Sequence, residues 1–227
     1  MNNEKILIPA AILITGLLIA GSLYLSKTST PKQISIPVSQ SASGMRKITA
    51  EDHIIGNPNA EVIFVEYSDT ECPYCKVFHS TLQRMMTEYG KTGRVAWVYR
   101  HYPIDALHSK SRKEAEATEC VNELGGPAKF WEYLNMIYTN TPSNNDLDPK
   151  ELTDFAKAVG IDQTVFDKCL SSGKYSAKVE ADYQDAIATG GEGTPHSIIV
   201  TKDGIKTPLD GSYSYDKLKL IIDAILK

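Results

Sequence analysis

Val62-Ile63-Phe64-Val65-Glu66-Tyr67-Ser68-Asp69-Thr70-Glu71-Cys72-Pro73-Tyr74-Cys75 changes structural rule part-way along. The β-branched and aromatic run Val62 to Tyr67 has the length and composition of a buried strand. Ser68 to Glu71 is a short polar loop, and Pro73 supplies the favoured first position of a helix. Cys75, Phe78, Leu82, Met85, Met86 and Tyr89 then recur at three- and four-residue spacing, which predicts an amphipathic helix ending at Gly90. A strand therefore delivers a Cys-x-x-Cys to the start of a helix.

Outward from this unit, Gly56-Asn57-Pro58-Asn59 is turn-like and the folded body opens near Ile48. Arg94 to Tyr102 reads as a second strand, stopped by Pro103. From about 106 to 189 only helices are predicted: Ser111 to Leu124, Pro127 to Tyr138, Pro149 to Val159, Gln163 to Leu170 and Tyr175 to Thr189. Strands resume at Ser197 to Thr201 and Ile205 to Leu209, and Leu218, Ile221, Ile222 and Ile225 mark a last helix. The order β-α-β, helical block, β-β-α is a mixed α/β fold.

An ordinary cysteine is mostly protonated at neutral pH, but the N–H groups and dipole of a helix N-terminus favour the thiolate. Cys72 has that position, so it is the expected nucleophile, with Cys75 one turn on as the more shielded resolving thiol. The competing chemistry is zinc, with His79 and either His101 or His108 completing the ligands; no second Cys-x-x-Cys follows at finger-like spacing. Neither a metal nor a cofactor is expected. Glu66 reads two ways: enclosed with a raised pKa and able to exchange a proton with Cys75, or pointed at solvent by strand alternation. Gly190-Gly191-Glu192-Gly193-Thr194-Pro195 precedes a strand and reads either as a turn or as a cis-proline approach. Opposite a dithiol, a cis-proline would expose the preceding backbone to an extended substrate.

The stretch from Ile6 to Leu25 has no charged residue and is flanked by Lys5 and Lys27. About 20 apolar residues suffice to cross a bilayer, whereas a cleavable signal has a shorter apolar core. The expected organisation is a cytoplasmic tail (1–5), a transmembrane signal anchor (6–25), a linker rich in Ser, Thr, Pro and Gln (26–47) and a folded domain (48–227) outside the cytoplasm. Ala20 and Ser22 leave a cleavage site open, which would give a secreted or periplasmic protein instead. Residues 1–47 carry five basic side chains (Lys5, Lys27, Lys32, Arg46, Lys47) against Glu4; with a net charge of -4 overall, the body carries -8. So acidic a body is a poor match for nucleic acid.

Residues 66–75, Gly193-Thr194-Pro195 about 120 residues later, and the helices between them resemble the DsbA-type branch of the thioredoxin superfamily. His101-Tyr102-Pro103-Ile104 with His108, Glu119-Cys120, Phe130-Trp131-Glu132 and Lys168-Cys169-Leu170 extend the likeness over nearly all of 48–227. The resemblance implies a thioredoxin-like fold with a helical insertion, Cys72 as nucleophile, Cys75 as its partner, Glu66 as a buried acid, and Thr194-Pro195 as a cis pair that binds substrate together with Pro73 and Tyr74. It also implies a structural disulfide between Cys120 and Cys169, the alternative being that both are unpaired buried cysteines. Its closing of a loop of about 50 residues contributes on the order of 3–4 kcal/mol in the chain-entropy picture. The implied activity is oxidation of cysteines in exported polypeptides, with the dithiol reset by a membrane redox partner. A reductase or isomerase, or a tethered binding module, is the alternative. Pro73-Tyr74 replaces the Pro-His frequent in strongly oxidising members, which leaves the direction of electron flow open, and Gly191 replaces an aliphatic residue, which is expected to loosen the loop before Pro195.

Overall fold

The computed structural model describes Ala42 and residues 44–227, so the expected tail (1–5), membrane segment (6–25) and most of the linker (26–47) lie outside the described residues. Among the described residues no helix is long and apolar enough to cross a membrane. The last linker residues belong to the folded body: Met45 is buried and Arg46 pairs with Asp182 (2.6 Å) and Asp52 (3.0 Å).

Strands β1 (His53–Gly56), β2 (Val62–Ser68), β3 (Val95–His101), β4 (His196–Thr201) and β5 (Lys206–Asp210) form a mixed sheet in the order β1-β3-β2-β4-β5. Central β2 is buried along its whole length. It runs parallel to β3, with Glu66 opposite Tyr99, and antiparallel to β4, with Tyr67 opposite His196. The second pairing decides the site, because it sets the chain leaving β2 beside the chain entering β4.

Parallel β2 and β3 need a crossover, and helix α1 (Pro73–Glu88) provides it. Side chains of a strand alternate between faces. Val62 and Phe64 pack with Phe78, Leu82 and Met85 of α1 and with Leu218 and Ile222 of the last helix, α6 (Tyr215–Ile225). Ile63, Val65 and Tyr67 pack on the other face with Val98, Ile198 and Ala186. Fully burying such side chains contributes about 1.5–3 kcal/mol each, which makes this two-sided strand the anchor of the domain.

Between β3 and β4 come α2 (Ser111–Asn140), α3 (Pro149–Ala158), α4 (Gln163–Ser172) and α5 (Ser176–Ala188). The sequence predicts two helices where α2 runs. Two helical halves are what the structure has: they abut at a break at Gly126, whose φ of 79° and ψ of -179° no helix contains, and Pro127 starts the second half without needing an N–H donor. Asp148 and Asp162 cap α3 and α4 by accepting from Lys150 N (3.0 Å) and Val165 N (3.2 Å). Val121, Tyr133, Ile137, Phe155 and Phe166 give this block a core of its own, crossed by a disulfide between Cys120 and Cys169 with Cα atoms 5.9 Å apart.

Strand β1 was not anticipated. Four residues are too few for a periodic signal, and β1 is held from outside itself: it pairs with β3, and His53 meets Glu119 Oε1 through Nε2 (2.7 Å) while stacking on Phe130.

Candidate active site

Cys72 is the N-cap of α1, with extended backbone (φ -79°, ψ 121°) and Pro73 next to it. Its N–H donates to Asp69 O (3.1 Å), closing the loop that leaves β2. Its thiol lies 3.4 Å from Thr194 O, and the Thr194–Pro195 bond is cis. The register of β2 on β4 thus places the two sequence motifs face to face. Both thiols are free, Cys75 fully buried and Cys72 5% exposed.

The two thiols differ electrostatically. A hydrogen bond from Cys75 is the largest influence on Cys72; with help from the Thr194 side chain and the N–H groups of Cys75 and Tyr74, it outweighs burial and brings the Cys72 pKa down to about 6. At pH 7 such a thiol is roughly 90% thiolate, against a few per cent for an ordinary cysteine. Burial first, and then the Cys72 charge, push Cys75 well above the ordinary thiol range; the Asp69 N–H, 3.5 Å from its sulfur, only partly opposes this. One thiol is held ready to attack and the other holds its proton.

Glu66 is completely buried on the same face of β2 as Phe64. Its Oε1 accepts from Ser68 Oγ (2.9 Å) and its Oε2 from Trp97 Nε1 (2.9 Å), and Ser68 Oγ continues to Tyr138 OH (2.9 Å), which meets Tyr99 OH (3.2 Å). Burial overrides those two donors and raises the Glu66 pKa to about 8, so near neutrality the group is an uncharged carboxylic acid; once ionised, its charge raises Cys75 further.

Pro73 and Tyr74 lie on the surface, Tyr74 with 67% of its area exposed. At the cis-proline loop opens a cleft of about 420 Å³ lined by Thr194, Pro195, Glu192, Asp210 and glycines. His196 is buried beneath it, with Nδ1 2.5 Å from Asp210 and Nε2 3.1 Å from Thr189 Oγ1. At Gly191 the loop packs closely, contrary to the loosening expected of a glycine: a Cβ there would come within 3.0 Å of Ala186 O and 3.1 Å of the His196 ring. The histidines weighed as zinc ligands are turned elsewhere, His79 to Asn135, His101 to Glu119 and His108 to Asp69.

Sequence reasoning missed Trp97, Ser68 and Tyr138 around Glu66. It also missed Asp69, whose carboxylate accepts from Glu71 N (2.8 Å), Ile104 N (2.7 Å) and His108 Nδ1 (3.0 Å) and so shapes the loop before Cys72. Only the Ser68-Asp69 turn composition hinted at that role.

The sequence profile of the thioredoxin family matches residues 49–224. The chain belongs to the thioredoxin family. Among solved structures it is similar to DsbA2 of Pseudomonas aeruginosa, at 26% identity and a TM-score of 0.65 over 79% of this chain and 97% of that one. BdbD of Bacillus subtilis, in its oxidised form, also has 26% identity and a TM-score of 0.65, over 77% and 92% of the two chains. The α-DsbA1 structure of Wolbachia pipientis shares the fold, with a TM-score of 0.69, 21% identity, and 82% and 96% of the two chains covered. Among curated proteins, an Na(+)/H(+) antiporter NhaA 1 of Mycolicibacterium gilvum is 30% identical over 66% of this chain, and the chain spans about a quarter (24%) of that relative's length. The DsbA likeness and the unequal dithiol together support thiol–disulfide exchange as the class of chemistry and an oxidoreductase as the class of enzyme.

Proposed function

We propose that this thioredoxin-family chain oxidises pairs of cysteines in exported polypeptides through Cys72 and Cys75, outside the cytoplasm and tethered by residues 6–25. The observation that carries the reading is the Cys72 sulfur at the start of α1, facing Thr194 O beside an open cleft, with Cys75 and Glu66 buried behind it. Stabilising the Cys72 thiolate stabilises the reduced dithiol, and that makes the disulfide form a stronger oxidant. The Cys120–Cys169 bridge supports an oxidising compartment, since such bridges are rare in the cytosol.

In the oxidised form a substrate thiolate attacks Cys72 Sγ, the Cys72–Cys75 bond breaks, and its electron pair leaves on Cys75. Cys75 then takes a proton, for which the Glu66 carboxylic acid is the adjacent buried source. A second substrate thiolate attacks the substrate sulfur of the mixed disulfide, forms the substrate's disulfide and releases Cys72 as thiolate. Two electrons pass to the enzyme. A membrane partner that accepts them would reset the dithiol.

Oxidative refolding of a reduced model protein by the oxidised enzyme tests this. Cys72→Ser is expected to abolish turnover, whereas Cys75→Ser, given a model protein that already carries a disulfide, is expected to attack it once through Cys72, release one substrate thiol and accumulate a mixed disulfide at Cys72. Equal loss in both variants with no trapped adduct would remove the assigned roles.

A further inference from the structure

Glu71, the residue before the nucleophile, is fully buried, and Glu114 of α2 is 2% exposed beside it. Thr70 Oγ1 donates to Glu114 Oε2 (2.6 Å). Asn144 N–H donates to Glu71 O and Asn145 N–H to Glu71 Oε2, both at 2.8 Å. Glu71 Oε1 is buried without a fixed donor.

Among the described residues no cation pairs with either carboxyl. Lys110 Nζ is spent on Leu147 O (2.7 Å), and Lys113 Nζ on Glu116 (2.9 Å) and Leu170 O (2.6 Å). The other titratable groups facing the pair are Asp69, with His108 bound to it, and Tyr133 from the second half of α2. Two adjacent carboxylates cannot both stay ionised in a dry site without a cation. Burial and then the contact with Glu71 push the Glu114 pKa up to about 9, so Glu114 keeps a proton that it can donate to Glu71.

The partner loop is held in an uncommon shape. Ser143, Asn144 and Asn145 have φ of 69°, 57° and 69°, three consecutive non-glycine residues in the left-handed region. That conformation costs on the order of 1 kcal/mol per residue and persists where the surroundings impose it. Here it turns two successive N–H groups onto Glu71, while Asn145 Nδ2 donates to Leu107 O (2.7 Å). On the other side of the dithiol Lys76 Nζ donates to Thr141 O (2.7 Å). The segment from Thr141 to Asn145 therefore grips the active-site turn before Cys72 and after Cys75.

We propose that Glu71 is a positioning residue for Cys72: held by the Ser143–Asn145 loop and by a proton shared with Glu114, it fixes the turn that carries the nucleophile and ties that turn to the helical block. This rests on the dithiol-exchange reading above. The test compares the full chain with Glu71→Ala, Glu71→Gln and Glu114→Gln, following oxidation of a model dithiol peptide (kcat and KM) from pH 6 to 10.5, with oxidised glutathione as the terminal oxidant that returns Cys72–Cys75 to the disulfide. Glu71→Ala is expected to lower kcat about tenfold with little change in KM. Glu71→Gln keeps an acceptor for Asn145 and a group able to bond Glu114, and is expected to stay within about twofold. The wild-type rate is expected to fall above about pH 9, where Glu114 gives up the shared proton; Glu114→Gln, which cannot ionise, is expected to hold its rate there. Wild-type turnover with an unimpaired Glu71→Ala, or identical alkaline profiles for wild type and Glu114→Gln, would overturn the proposal and leave the dithiol reading standing. Absence of turnover in the wild type would instead sink the dithiol reading.

Discussion

At Glu66 the folded chain keeps neutral a carboxyl that water would ionise, and this has a cost that depends on pH. Its pKa rises from 4.5 to about 8 because burial outweighs the Ser68 and Trp97 hydrogen bonds. Between those values the folded state binds more protons than the unfolded one, so this group's contribution to stability falls as pH rises from about 4.5 to 8 and is flat beyond. Glu66→Gln preserves the shape, accepting from Trp97 and donating to Ser68. It is expected to gain stability relative to wild type in urea unfolding as pH moves from 5 to 8, and to slow the step that protonates Cys75 on the order of 10- to 100-fold. A variant whose stability tracked wild type across that range would show that Glu66 is already ionised. Alkylation of the reduced protein is expected to label Cys72 with a midpoint near pH 6, with Cys75 labelled only far above it. The Cys-x-x-Cys and its helix start were legible in sequence because they are local. The setting of Glu66 was not, since β2 is buried on both faces and alternation cannot say which face holds Trp97.

Among the elements, the break in α2 and the bridge between α2 and α4 are the places where chain geometry itself carries stability. Gly126 sits at φ 79°, and a Cβ there would meet nothing within 4 Å, so Gly126→Ala is expected to cost about 1 kcal/mol from backbone strain alone, measured by denaturant unfolding. A loss near zero would mean that α2 straightens through the break. Replacing Cys120 and Cys169 together with Ala is expected to cost on the order of 3–4 kcal/mol by the same measurement, since the bridge closes 49 residues of sequence. Helices were readable because their periodicity and Gly, Pro and Asp punctuation are written within each segment. Strand β1 was not, because His53 acquires its place from Tyr99, Glu119 and Phe130, all distant in sequence.

Over the whole molecule, the sheet and the helical block meet at the dithiol. The sheet supplies Cys72, Glu66 and Thr194 through the pairing of β2 with β4, and the block supplies Tyr138, Glu114 and the Thr141–Asn145 segment. That convergence could not be read from one sequence, in which Glu71 and Asn145 look like ordinary polar loop residues. It also means that the unequal thiols express the entire fold, and their consequence is a reduction potential. Equilibration of the Cys72–Cys75 pair in glutathione buffers of defined ratio measures it directly. With a Cys72 pKa of about 6, the expected potential is less negative than about -200 mV, in the range of protein-oxidising dithiols. A value near -270 mV, where thioredoxin-type reductants lie, would contradict the oxidising role.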